Sequence, residues 1–397
     1  MSTNIHSAEA PMLGYRFQSL YALLVLWKES EEDFDKVSVE TDDDITLKGS
    51  NIKLYQLKHS IGKPKTISLK NDGLWKTIRI WAKYADSPNH ELYFVTADWV
   101  KESNSLFKLV NGDLDRNDLV SLMVDEAKLV INARNQAIAN KEKNLPYENR
   151  IEGCLAFMRL STAQQLNLMK KITVRPNTID IYQVQDEVIN KLSDMAVSRV
   201  RPLIAERLLQ WWDKRMLDSK TGISKMELLF NLQCLIAQFQ DNNLPDDYSE
   251  QYPESIEPEL GGFMEKQIDL VKGGTHRKNR AAVARWRARN QRERWIQDDL
   301  LYALELEKYD EKLQEVWADW HGPMRDDMNG QPEDICEKEG LSLLDWIHKE
   351  SHLHINPIRS EWKQHFLIQG TYQQLAEELR VGWHPFFKQK LTLSTKR

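Results

Sequence analysis

Residues 37–58 contain three runs in which apolar and polar side chains alternate: Val37–Glu40 (VSVE), Asp44–Leu47 (DITL) and Lys53–Lys58 (KLYQLK). A period of two sends successive side chains to opposite faces of a strand. The Lys48-Gly49-Ser50-Asn51 stretch between the last two runs has hairpin turn chemistry. Strands so close together need a sheet, and the sheet needs cover. The flanks supply it. Leu13–Lys28 is apolar on most sides from Leu20 to Trp27, the pattern of a buried helix. A second helix is expected over Asp72–Tyr84 and another strand over Glu91–Thr96. The order helix, three strands, helix, strand predicts an α/β core with a mixed sheet flanked by helices.

Beyond this core the helical period dominates from about Asn104 to Gln240, with room for a short strand at Ile179–Ile181. Residues 242–262 (NNLPDDYSEQYPESIEPELGG) are rich in Pro, Gly and acids and have no period, so they read as a linker. The helical period then returns almost to the end. The expected domains are therefore 1–241, the linker 242–262, and a mainly α-helical interaction domain over 263–397. The chain has 397 residues, room for two or three domains at roughly 100–200 residues each.

Composition narrows the classes. There is no apolar run of the roughly 20 residues that a membrane span needs. The N-terminal MSTNIHSAEAPMLGYRF lacks the basic-then-apolar layout of a secretory signal. Cys154, Cys234 and Cys336 are far apart and form neither a disulfide framework nor a CxxC pair, so reduced, buried thiols are expected. These features predict a cytoplasmic protein. The net charge is −6, whereas a free-standing nucleic-acid binder is usually basic. A nucleic-acid substrate would call for a local basic surface, a metal, or a partner that brings it.

The hairpin also places chemistry. If its two strands pair with their apolar faces together, Asp44, Gln56 and Lys58 converge, and Glu40 ends the preceding strand nearby. Two carboxylates, an amide oxygen and an ammonium suit phosphodiester hydrolysis. Hard oxygen ligands hold Mg²⁺, the metal activates water and offsets phosphate charge, and a lysine stabilises the same charge. The spacing fits D…(D/E/Q)-x-K, with Gln56 in place of a carboxylate. Asp43 is a neighbour of ambiguous role; Asp44 is preferred because its strand phase matches Gln56 and Lys58. Gln18, one turn before the apolar part of the first helix, reads either as a satisfied core amide or as part of the site. Taken alone, an acid followed by QxK is common, and a charged strand end with a solvated lysine explains it better.

The wider pattern is more specific. GYRFQSLYALL (Gly14–Leu24), VSVETDDDITL (Val37–Leu47), YQLKHS (Tyr55–Ser60), LWKTIRIWAKY (Leu74–Tyr84) and YFVTAD (Tyr93–Asp98) resemble the double-stranded DNA endonuclease domain of CBASS effectors and of the Lamassu nuclease subunit, a PD-(D/E)XK-type core. The resemblance implies a metal-dependent endodeoxyribonuclease. Its Mg²⁺ or Mn²⁺ site would be built by Glu40, Asp44 and Gln56, with Lys58 catalytic and Gln18 and Asp43 accessory.

Further along, RWRARNQRERW, YDEKLQEVW (Tyr309–Trp317) and IQGTYQQLAEELRVGWHPFF (Ile368–Phe387) resemble the C-terminal domain of ABC-three-component defence proteins. That resemblance implies docking to an SMC-like or ABC ATPase subunit and a small accessory subunit. Trp317, Trp320, Trp346, Trp362 and Trp383 suit either a core or interface anchors. The arginines of Val271–Trp295 (277, 280, 285, 287, 289, 292 and 294) read as a phosphate-contacting surface or, more simply, as a salt-bridged face paired with an acidic helix over Asp298–Glu315. His348 and His352 sit four apart, with His354 beyond them and Cys336 upstream, but without a metal-site framework they read as ordinary surface or core histidines. Cutting both strands of DNA with one QxK site per chain implies a homo-oligomer in the active form. The competing readings are a catalytically silent scaffold that binds DNA or the ATPase, and an RNase, since such a site reads phosphates rather than bases.

Overall fold

The computed structural model describes residues 9–58, 64–113, 115–219 and 221–394. Part of the N-terminal segment and His59–Ser60 of the YQLKHS motif lie outside them. The described chain divides into two compact units, residues 1–235 and 236–397.

The first unit is a mixed α/β domain. It opens with α1 (Glu9–Glu29), β1 (Lys36–Val39), β2 (Ile45–Lys48) and β3 (Ile52–Lys58), followed by α2 (Asp72–Trp81) and β4 (His90–Thr96). Then come α3 (Asn117–Ala139), α4 (Ile151–Met158), α5 (Thr162–Lys171), β5 (Ile172–Arg175), α6 (Val184–Lys191), α7 (Arg201–Asp218), β6 (Ile223–Ser224) and α8 (Lys225–Gln238), whose last turn enters the second unit. The six-stranded sheet has the order β5-β4-β3-β2-β1-β6. Strands β1, β2 and β3 form an antiparallel meander, with Val39 opposite Ile45 and Ile45 opposite Tyr55. β4 and β5 extend the sheet in parallel, which the long helical crossovers between them permit.

Both faces are covered. Leu54, Leu92, Phe94, Ile172 and Val174 of one face pack with Leu74, Trp75, Ile78 and Trp81 of α2 and with α3–α5. On the other face Tyr55 reaches Glu29 at the end of α1. In α1, Phe17, Leu20 and Ala22–Leu26 are all buried, as its all-round apolar sequence requires.

Three points differ from the sequence reading. Ile179–Ile181 is no strand: Ile181–Gln183 forms a 3₁₀ turn capped by Asp180. The fifth strand is instead Ile172–Arg175, which follows α5 with no breaker residue and so is hidden in a helical run. Two residues, Ile223–Ser224, suffice for the edge strand beside β1. Third, Cys154 and Cys336 are buried, but Cys234 is exposed, because α8 turns Leu228, Leu232 and Leu235 inward instead.

The second unit is helical: α9 (Phe263–Leu270), α10 (Gly274–Gln297), α11 (Ala303–Asp327), α12 (Glu333–Lys349), α13 (Ser351–His354), α14 (Phe366–Glu377) and α15 (Phe387–Ser394). Trp295, Trp346, Trp362 and Trp383 are core residues, while Trp320 is 49% exposed. The aperiodic segment 242–262, read as a linker, is packed onto α10. Trp295 Nε1 donates to the Pro245 carbonyl (2.9 Å) and Asp247 N to Gln291 Oε1 (2.8 Å), and Tyr248 meets Trp286 edge-on. Lack of period excludes a helix; it does not exclude burial of Leu244 and Glu259.

The arginines of α10 are tied down inside this unit. Arg277 and Arg280 pair with Asp345, Arg285 and Arg289 with Glu259, Arg292 with Asp310, and Arg294 with Asp298. Arg287 lies over Tyr252. Asp345 comes from α12, Glu259 from the 242–262 strap, Asp310 from α11 and Asp298 from the C-terminal end of α10, so only Asp298 and Asp310 belong to the acidic stretch 298–315. Among the described residues, no helix is long and apolar enough to cross a membrane.

Candidate functional site

The meander creates a polar cluster at one end of β2 and β3. Alternation sends Leu54, Gln56 and Lys58 to the face covered by α2. The β2–β3 register, extended one step past Ile45–Tyr55, brings Asp44 opposite Gln56. Gln56 Nε2 donates to Asp44 Oδ2, and the Leu57 N–H donates to the same oxygen (2.7 Å). Asp43 sits behind it: the Asp44 N–H donates to Asp43 Oδ1 (2.9 Å), and the Trp81 indole N–H donates to Asp43 Oδ2. Burial raises the pKa of Asp43 to about 6 despite these donors. Lys58 lies along the start of α2, where a Cβ on Gly73 would stand 3.5 Å from Lys58 Cδ. Burial lowers the Lys58 pKa, while Asp44 and Asp43 act to raise it. Asp44, Asp43 and Lys58 thus share one electrostatic environment, and Gln56 is only 5% exposed.

The remaining candidates stand further off. Glu40 adopts a left-handed backbone (φ 53°) at the start of the β1–β2 turn. Its N–H donates to the Asp44 carbonyl (3.0 Å), and its side chain is exposed. Glu40 therefore shapes the turn through its backbone. Gln18 is half-buried on α1, and its Oε1 is buried without a hydrogen-bond partner. Among the described residues no hydrogen bond joins it to the Asp44 cluster.

Two features of the site escape sequence reading. Trp81 belongs to the apolar stripe of α2, and nothing in that stripe marks the one indole whose N–H meets a carboxylate. On the opposite face, Arg175 pairs with Glu29, Tyr55 donates to Glu29 (2.7 Å), and the Arg175 guanidinium lies 4.1 Å from the Tyr93 ring centre. Burial alone would raise the Glu29 pKa, but Arg175 and Tyr55 outweigh it and the pKa falls. This network ties α1 to β3, β4 and β5 directly behind the QxK strand.

Fit to a divalent cation can be judged from the donor set. Asp44 keeps Oδ1 beyond the oxygen that Gln56 and Leu57 use, and the Gln56 carboxamide adds an oxygen. Both oxygens of Asp43 already accept hydrogen bonds, so Asp43 orients Asp44. Among the described residues no group of three or more His, Cys, Asp or Glu is arranged around a metal position. One carboxylate and one amide fit a hydrated Mg²⁺, which keeps several waters and needs only one or two carboxylates. His348, His352 and His354 make no such set. His348 meets Gln373, His352 stacks on His365, and His354 stacks on Trp346.

Residues 264–391 match the family model for C-terminal domain 7 of the ABC-three component (ABC-3C) systems. No curated protein matches the chain. Among solved structures, it is similar to the Cap4 SAVED/CARF-domain containing receptor of Moraxella osloensis, at 13% identity and a TM-score of 0.33, over 65% of this chain and 60% of that one. The Acinetobacter baumannii Cap4 receptor with the cyclic trinucleotide 2'3'3'-cAAA gives 12%, 0.35, 65% and 58%. The chain thus spans about 60% of the length of these receptors.

Proposed function

We propose that this chain is the hydrolytic subunit of a bacterial anti-phage or anti-plasmid defence assembly of the ABC-three-component kind. In this reading it is a metal-dependent endonuclease that degrades double-stranded DNA once partner subunits release it. The observation that carries the reading is the convergence of Asp44, Gln56 and Lys58 at one end of the β2–β3 hairpin. The match of residues 264–391 supports the setting, in which an ABC-type ATPase, SMC-like as in Lamassu, and a small accessory protein would be the partners.

Asp44 and Gln56 would hold the cation, and Mg²⁺ or Mn²⁺ would supply Lewis acidity toward the scissile phosphate. Lys58 provides positive charge where negative charge accumulates in the transition state. Its pKa, lowered by burial and opposed by two aspartates, matters less than its fixed position beside α2. Asp43, held by Trp81, keeps the Asp44 carboxylate at the hairpin end. The buried surroundings strengthen each of these charges relative to water.

The test is cleavage of linear and circular DNA by the purified chain, alone and with its partner subunits, with Mg²⁺ or with EDTA, and with RNA as the competing substrate. Metal-dependent DNA cleavage supports the reading. A folded complex that binds DNA or the ATPase and cleaves nothing makes the chain a scaffold. A double-strand cutter carrying one site per chain should act as an oligomer, which light scattering on the active species measures.

A further inference from the structure

A chain of net charge −6 that works on nucleic acid needs a local surface of free cations. The arginines of α10 do not supply it, because Asp345, Glu259, Asp310 and Asp298 hold them inside the helical unit. Free cations stand instead on α2, beside the Asp44 cluster.

α2 turns Leu74, Trp75, Thr77, Ile78 and Trp81 inward. Lys76 and Arg79 are exposed on its outer side, and exposed Lys83 follows in the 3₁₀ turn Ala82–Tyr84 that prolongs the helix. Positions three and four apart share a helix face, so the three cations form one stripe. It runs roughly 10 Å at about 1.5 Å per residue, or about three base-pair steps of a duplex. Among the described residues no carboxylate forms an ion pair with any of the three. Lys83 Nζ lies 4.8 Å from the Tyr84 ring centre, a contact that leaves its charge in place. Nearby acids are already engaged: Asp72 pairs with Arg150 (2.8 Å) and Asp42 with Lys48 (3.1 Å). Arg79 and Lys83 stand four apart, a like-charge spacing that weakens a helix until an anion offsets it.

The stripe begins at the candidate site. Lys58 lies against the first turn of α2, with its Cδ 3.5 Å from where a Cβ on Gly73 would stand. Lys76 is one turn further on. Burial lowers the Lys58 pKa and Lys76 pushes the same way, so each ammonium lies within the other's field. On the inner side of the helix the Trp81 indole holds Asp43. One short helix thus carries the free cations on its outer side and braces the Asp44 cluster on its inner side.

Resting on the hydrolytic reading above, we propose that Lys76, Arg79 and Lys83 grip the phosphate backbone of duplex DNA beside the bond that Lys58 addresses. Such contacts fix position and register without reading bases. The experiment is fluorescence anisotropy of a labelled DNA duplex with the full chain in EDTA, where binding is read without hydrolysis. Glutamine keeps a helix-forming residue at each position. The variant Lys76→Gln, Arg79→Gln, Lys83→Gln should bind about tenfold or more weakly near ~50 mM salt, and its slope of log affinity against log salt should fall by about 2–3. A control variant, Lys128→Gln, Lys143→Gln, Lys170→Gln, removes the same charge at exposed positions elsewhere in the first unit and should bind as the wild type does. An unchanged slope in the folded α2 variant overturns the proposal. So does an equal loss in the control, no duplex binding by the wild type, or tighter binding of duplex RNA or polyglutamate. Binding that depends on the stripe without metal-dependent cleavage sinks the nuclease reading and leaves the surface standing. Cleavage with binding indifferent to the stripe does the reverse.

Discussion

At the residue scale, two side chains carry predictions of different kinds. Lys58 is half-buried beside α2, so it is no solvated strand end, yet it stands outside the apolar core cluster. Lys58→Ala should therefore fold and lose two to three orders of magnitude in DNA cleavage, the size of one transition-state electrostatic contact. Asp44→Ala should fall as far but recover partly in excess Mn²⁺, where Lys58→Ala should not. Wild-type cleavage by a folded Lys58→Ala protein would sink the assignment.

His348 makes a stability prediction. Burial, helped by Arg280, drives its pKa down to about 3. Gln373 Nε2 lies 2.9 Å from His348 Nε2, an arrangement in which a neutral ring accepts. The folded state refuses a proton that the unfolded chain binds below about pH 6.5. Stability is therefore lost as pH falls, by up to roughly 1.4 kcal/mol per unit, or about 2 kcal/mol at pH 5. Denaturant titrations at pH 7 and 5 measure it, and His348→Gln should flatten the difference.

At the scale of elements, the helical unit depends on one close crossing. Gly370 of α14 faces Ala284 and Ala288 of α10, and a Cβ on Gly370 would fall 1.9 Å from the Ala284 carbonyl oxygen. The small residues let two helices meet almost backbone to backbone, which seats Arg292 on Asp310 and Thr371. Gly370→Ala must push the helices apart and should cost about 1–3 kcal/mol, read as a shift in the denaturant midpoint. An unchanged midpoint would mean that α10 and α14 accommodate the methyl group. The same logic holds in the first unit, where a Cβ on Gly153 of α4 would strike the Trp75 carbonyl of α2. Neither glycine has a positive φ, so each is there for space rather than for backbone freedom.

At the scale of the whole molecule, the boundary between units is the useful prediction. Residues 242–262 belong structurally to the helical unit, because they satisfy Gln291 and Trp295 and deliver Glu259 to Arg285 and Arg289. A fragment 236–397 should melt well above a fragment 263–397, which would leave the Trp295 indole and two arginines without those partners. If the helical unit docks the ATPase, only the longer fragment should co-purify with it in full yield. Equal melting temperatures would return 242–262 to the role of a plain tether.

Much of the core follows from the sequence alone because it is written in short-range periods. The alternation at 37–58 specifies strands, and the Lys48–Asn51 turn pairs β2 with β3. That pairing already puts Asp44, Gln56 and Lys58 on one side. Elements without a period of their own had to wait for tertiary contacts. β5 is specified by pairing with β4 at the end of a helix, and β6 by two residues beside β1. The strap 242–262 is ordered by α10 rather than by its own pattern. The same holds for electrostatics. Sequence shows seven arginines in a row of turns, but only the packed structure brings Asp345, Glu259 and Asp310 to them from 18 to 68 positions away. Charge and hydrogen bonding act through space, and distance along the chain does not encode it. For that reason the strand alternation of Asp44 could be read directly, whereas the Trp81 hydrogen bond to Asp43 and the pairing of Glu259 with Arg285 and Arg289 were decided by the fold.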